Sequence, residues 1–276
     1  MNKRLVSALF TLLFSFLFLV PGMVVAQTEA DELPAIDPRG GVRQTMLVDC
    51  PTAWTLERAS FDLSMRSYPN GGILAGVDIG LSNRLTLGIS YGAEGIIAES
   101  KPTWNPRVEF NVKLKAVDES IVMPAVAIGF CSQGYGAWHD RDSLDLKTID
   151  RYTFKSKGFY AVGSKSYMVG QFQTGLHGGV NYSTEQEDDD GNVTFFAGTD
   201  IRLNKDIGIV LEYDFALNDD IDGGNFGKGY GYLNASVQWI YASNLVMEFL
   251  LKNLTNNRRG TNDIWRGLRV TYVEYF

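Results

Sequence analysis

The run Arg107-Val-Glu-Phe-Asn-Val-Lys-Leu-Lys115 alternates polar and apolar residues at every step. A period of two sends successive side chains to opposite faces of an extended strand. Val108, Phe110, Val112 and Leu114 fall on one face, and Arg107, Glu109, Asn111 and Lys113 on the other. A helix would mix the two sets on every face, so this stretch is a strand with one oily and one charged side.

The pattern recurs. Alternation and turn residues mark twelve candidate strands, at roughly 59–68, 73–81, 85–92, 107–117, 122–131, 152–163, 173–183, 193–203, 207–218, 230–241, 245–254 and 267–276. After two brief turns (69–72 and 82–84), long loops alternate with short links. The long ones are 93–106, 132–151, 184–192, 219–229 and 255–266; the short ones are 118–120, 164–172, 204–206 and 242–244. Long loops at one end and tight turns at the other characterise transmembrane barrels of bacterial outer membranes. The expected fold is all-β: an antiparallel transmembrane β-barrel of about 12 strands, with short periplasmic turns and long extracellular loops. An even strand count leaves both ends of the barrel in the periplasm.

Lipid then fixes the register, because Arg or Lys at mid-depth on the outer face costs about 2–4 kcal/mol. The 152–163 segment is expected to put Phe154, Tyr160 and Val162 outside, with Lys155 and Lys157 inside. Ile209, Leu211, Tyr213 and Phe215 point outward against Glu212 and Asp214; Leu245, Met247, Phe249 and Leu251 point outward against Glu248 and Lys252. The expected lumen lining is Arg66, Arg107, Glu109, Lys113, Lys155, Lys157, Asp200, Glu212, Asp214, Glu248 and Arg269. Such a set serves equally as a salt-bridge filling for a narrow barrel or as the lining of a path for a polar solute, and a barrel of this size lies between the filled and the open classes.

The ends of the chain agree with export. Lys3 and Arg4, an apolar run from Leu5 to Val20, and Val24-Val25-Ala26 compose a signal peptide over 1–26. Residues 27–57 read as a periplasmic leader or a plug, and 58–276 as the barrel. No second apolar run reaches the roughly 20 residues of a membrane helix. Tyr272 and the terminal Phe276 match an aromatic barrel assembly signal. Barrel assembly machinery and outer-membrane lipid are the expected partners, and the cell outer membrane the expected location.

The net charge of −7 argues against nucleic acid as a partner. Acidic runs at 185–190 and 219–222 lack the full ligand set of a calcium loop. Cys50 and Cys131 could pair only if the leader ran up inside the barrel, since a disulfide spans no more than about 7 Å between Cα atoms. His139, beside Asp140 on an expected outer loop, has no serine in a hydrolase motif near it; His177 reads as a packed or lumenal histidine. No cofactor and no catalytic residue are expected.

Pro51-Thr-Ala53, Asn111-Val-Lys-Leu-Lys-Ala-Val-Asp-Glu119, Pro124-Ala-Val-Ala-Ile-Gly129 and Phe159-Tyr-Ala-Val-Gly-Ser-Lys165 follow one another in order. Over roughly residues 50–182 the chain resembles the YjbH-type family of outer-membrane barrels linked to exopolysaccharide production. That resemblance implies a non-enzymatic accessory to exopolysaccharide export or assembly, with polysaccharide export components as partners. A narrow diffusion channel for small polar solutes is the first alternative, and a barrel enzyme at the outer face the second.

Overall fold

The computed structural model describes residues 43–98, 101–141, 148–220, 226–241, 244–259 and 263–276; the expected signal peptide and the first part of the leader lie outside these. The strands are β1 (Ser60–Tyr68), β2 (Gly72–Ser82), β3 (Leu85–Glu94), β4 (Thr103–Trp104), β5 (Glu109–Val117), β6 (Ala125–Cys131), β7 (Tyr135–Arg141) and β8 (Thr148–Phe154). They continue with β9 (Gly158–Val169), β10 (Phe172–Tyr182), β11 (Thr194–Arg202), β12 (Ile207–Asp214), β13 (Tyr232–Tyr241), β14 (Leu245–Lys252) and β15 (Trp265–Tyr275). Twelve of them form a closed antiparallel barrel; β4 extends its rim beside β3, and β7 and β8 make a separate hairpin in the loop after β6. Closure comes from β1 pairing with β15, from Ser60↔Tyr275 to Arg66↔Arg269. Every backbone donor and acceptor along a closed wall can find a partner in the next strand, which is what hydrocarbon requires.

The outer surface follows from the alternation. Leu63, Met65, Phe110, Leu211, Val237 and Phe249 are exposed, while Asp62, Arg66, Glu109, Lys113, Glu212 and Glu248 are buried in the interior. Aromatic pairs lie on the outside near the ends of the strands: Tyr91 stacks on Trp104 at 5.6 Å, and Phe61 meets Phe276 at 5.2 Å. Both depths suit rings that are apolar on one side and wet on the other.

One strand departs from the sequence expectation. The segment expected at 152–163 is instead β9, Gly158–Val169, and residues 148–154 belong to the loop hairpin. Phe154, Tyr160 and Val162, expected against lipid, are buried, whereas Phe159 is 60% exposed. The cause is a break in phase. Gly158 takes a left-handed φ of +57°, and Tyr182 opposite pairs with both Gly158 and Phe159 in a bulge. Such a bulge shifts the parity of every residue that follows. Lys155 and Lys157 precede the break and still point inward; after it the even-numbered residues do.

Residues 43–57 are folded within the barrel. Leu47 N–H donates to the Cys50 carbonyl at 2.8 Å and Thr52 N–H to the Thr45 carbonyl at 3.1 Å, and Met46 bridges Pro51. The result is a tight re-entrant hairpin with Val48 and Asp49 at its tip. Leu47, Val48, Cys50 and Ala53 are fully buried, packed with Ala125, Ala127, Tyr160, Val162, Phe196, Val210 and Leu250 of the wall. Gly198 makes room for it, since a Cβ there would lie 2.5 Å from the Leu47 side chain. Cys50 and Cys131 are both free thiols, although Cys131 packs against this same cluster.

Candidate functional site

The lumen is a polar interior organised around the hairpin tip. Asp49 is 6% exposed and forms ion pairs with Arg66 of β1 at 2.8 Å and Lys252 of β14 at 2.5 Å. The Glu212 carboxylate of β12 accepts both Asp49 N–H and Cys50 N–H at 2.7 Å. Arg269 of β15 donates to the Leu47 and Val48 carbonyls at 2.6 and 3.1 Å and pairs with Glu248 at 2.5 Å; Arg66 donates to the Val48 carbonyl at 3.2 Å. Lys113 of β5 donates to the carbonyls of Thr45 at 2.6 Å and Trp54 at 3.1 Å. Charge-assisted bonds of this kind are roughly twice as strong as neutral ones.

A buried relay holds the returning arm. Ala53 N–H donates to Ser164 Oγ at 2.8 Å; Ser164 Oγ lies 2.7 Å from His177 Nδ1, and His177 Nε2 lies 2.7 Å from Asp200 Oδ1. Ser164 and His177 are each 1% exposed. If Nε2 carries the imidazole proton and faces Asp200, Nδ1 is left to accept from the serine hydroxyl. A nucleophile, a base and an orienting carboxylate are thus in line, on β9, β10 and β11. The hydroxyl is covered by the hairpin, and the relay functions in this state as a tether for Ala53. Alternation assigns Asp200 to the lumen and leaves His177 packed or lumenal, but it does not reveal Ser164, because the parity of β9 depends on the break at Gly158. His139, the other histidine, bonds Thr153 Oγ1 at 2.9 Å, while its neighbour Asp140 turns to Trp138.

The loop end is closed separately. Arg151 of β8, 1% exposed, pairs with Asp188 at 2.7 Å and Asp219 at 2.8 Å and lies 3.9 Å over the Phe226 ring. Burial opposes its charge, but Asp219 and Asp188 beside it hold its pKa above the ordinary value. Lys155 pairs with Asp188 at 2.7 Å, and Lys157 with Asp214. Glu185 accepts the Tyr152 and Ser156 amides, each at 2.9 Å. Burial raises the pKa of Glu185. One residue of each acidic run, Asp188 and Asp219, is therefore a counter-charge for Arg151, and Asp188 for Lys155 as well; residues 221–222 of the second run lie outside the described residues. Glu109 meets Tyr152 at 3.1 Å and Arg107 at 2.9 Å, but the Arg107 side chain is 53% exposed at the rim rather than inside. Tyr135 of β7 joins the two closures, its ring 4.0 Å from Arg66 and 4.9 Å from Lys252.

Of the eleven residues expected to line the lumen, Arg66, Lys113, Glu212 and Arg269 contact the hairpin directly, with Glu248 behind Arg269; Asp200 acts through His177. Lys155 and Glu109 bind the loop closure, and Lys157 and Asp214 pair with each other. Lys252, expected inside though not among the eleven, is buried there, and Asp49, Ser164 and Arg151, which alternation does not single out, complete the picture.

A closed twelve-stranded barrel, apolar where it meets lipid and charged within, defines an integral β-barrel protein of the outer membrane. The chain resides there. No protein-family model matches it, and no curated protein matches it. Among solved structures it is similar to a KdgM porin (11% identity over 77% of this chain and 98% of that one, TM-score 0.45). It is also similar to the outer membrane protein Omp33 of Acinetobacter baumannii (9% identity, 79% and 98%, TM-score 0.44). A third is the COG4313 outer membrane channel of Pseudomonas putida F1 (13% identity, 80% and 98%, TM-score 0.43).

Proposed function

We propose that this protein is an outer-membrane channel for small polar solutes, held shut by its own re-entrant hairpin. The observation that carries the reading is the direction of the lumenal charges. Arg66, Arg269, Lys113, Lys252 and Glu212 are spent on the tip and backbone of residues 45–54. A barrel filled for stability alone would pair its wall charges with each other, as eight-stranded barrels fill with side chains. Here five wall charges meet one short segment, residues 45–54, beside such wall pairs as Lys157–Asp214, so withdrawing the segment leaves a wall lined with charges of both signs.

A second reading is a permanently closed scaffold. The apolar core between Leu47, Val48 and the wall favours it, because opening would wet Tyr160, Val162 and Phe196. Its link to exopolysaccharide production rests on the resemblance over residues 50–182.

Single-channel conductance in planar bilayers separates the two, using the mature protein with and without residues 27–57 and checking barrel folding by heat-modifiable gel migration. Conductance only after removal of the segment supports the plugged channel. No conductance from either folded form supports the scaffold. Steady conductance with the segment present refutes it as the closure.

A further inference from the structure

A cavity of about 150 Å³ remains beside the hairpin, against the β1–β2–β3 wall. Asp62 and Asp78 stand directly opposite each other across β1 and β2, and both line it. Two carboxylates in this relation repel when both are ionised. Asn111 donates to Asp78 at 2.7 Å, whereas Asp62, only 6% exposed, has an Oδ1 with no hydrogen-bond partner. Both ends of the Gln44 amide, on the hairpin side of the same cavity, also lack partners. Buried polar atoms are nearly always satisfied, and unpaired ones in a shared space point to something that satisfies them. Of the four arginines that line the cavity, Arg66 pairs with Asp49, Arg269 with Glu248 and Arg43 with Glu119, and Arg202 has Asp200 near it; Lys113, a cation near both Asp62 and Asp78, directs its donors to the Thr45 and Trp54 carbonyls.

From this geometry we infer that the cavity binds a small organic cation, its ammonium between Asp62 and Asp78. The inference deepens the channel reading, on which it rests, by naming the class of solute. Leu74 and Val273 supply apolar wall for a short carbon body. A space of this size holds about six non-hydrogen atoms. The donor set favours an ammonium over a bound metal: among the described residues no three His, Cys, Asp or Glu side chains are grouped to hold one.

The test is isothermal titration of the full mature protein in detergent with butylammonium, butyrate, 1-butanol and calcium. Saturable binding of butylammonium alone is expected, weakened about tenfold or more in Asp62→Asn and in Asp78→Asn, as loss of a hydrogen bond to a charged group implies. Heat-modifiable migration identifies which variants are folded, and one folded variant is enough for the comparison. Equal heats from wild type and variants overturn the proposal and leave a proton shared between the carboxylates. Binding of calcium but not butylammonium, lost in the variants, overturns the ligand class. Because binding is read on the closed barrel, its failure is distinct from a failure to conduct.

Discussion

Replacing Asp49 by alanine is the sharpest test of how the hairpin is held. The carboxylate is the counter-charge of both Arg66 and Lys252, at 2.8 and 2.5 Å, and all three side chains are at most 7% exposed. Removing one member of a buried ion pair costs about 3–5 kcal/mol, mainly because the other charge is left desolvated and unpaired. Arg66 retains the Val48 carbonyl, so the lower end applies here. A cost of about 3 kcal/mol carried by the docked state alone shifts the docked-to-released ratio by more than about 100-fold. The expected result is intermittent conductance in planar bilayers where the parent protein is silent, with protease reaching residues 43–57 from the short-turn end. Asp49→Asn should fall between the two, since it keeps the shape and loses the charge. If Asp49→Ala stays silent and its segment stays protected, the ion pairs do not hold the hairpin and the argument from charge direction fails.

Three further outcomes are expected. Ser164→Ala leaves Ala53 N–H and His177 Nδ1 without their partner, a loss of about 1–3 kcal/mol that should appear as faster amide exchange at residues 47–54 while the barrel strands stay protected. The loop hairpin should loosen in acid: burial, with Arg258 and Arg151 nearby, lowers the pKa of His139 from 6.5 to about 4. The released loop therefore binds the proton more readily, so stability is full above pH 6.5 and is lost as pH falls toward 4. Amide exchange over 135–141 and 148–154, compared with His139→Gln at each pH, reads that difference, and identical profiles would refute it. Finally, Phe249→Arg on the lipid face of β14 should destabilise the barrel by about 2–4 kcal/mol in denaturant titrations in lipid, against little effect for the same change in a loop.

The wall was legible because lipid enforces it. Phe110, Val112 and Leu114 of β5, Leu211 of β12 and Phe249 of β14 face outward as alternation demands, and the strand count follows from the turns between them; Val210 and Leu250, apolar residues at inward positions, pack against the hairpin instead. Beyond the wall, legibility declined for physical reasons. The phase break at Gly158 has no period-two signature, since one left-handed glycine suffices to invert β9, and Ser164 was hidden with it. Alternation leaves 132–151 as a loop and carries 152–154 into the next strand, because the pairing of β7 with β8 is itself interrupted by bulges. Arg66, Lys113, Glu212 and Arg269 could be assigned to the interior, but not to their partner: alternation reports which way a side chain points and carries no information about what a distant segment brings to meet it.

The seam of the barrel bears on the order in which the molecule is made. Arg66 and Arg269 are opposite each other where the first and last strands join, so zipping that edge brings two cations together. The carboxylate and carbonyl groups that quiet them belong to residues 47–49 and to Glu248. A nascent sheet that curled shut over an empty interior would confront this repulsion at its final step, whereas one that curled around an already seated hairpin would find it neutralised. The charge arrangement thus favours closure around the segment over closure of an empty wall.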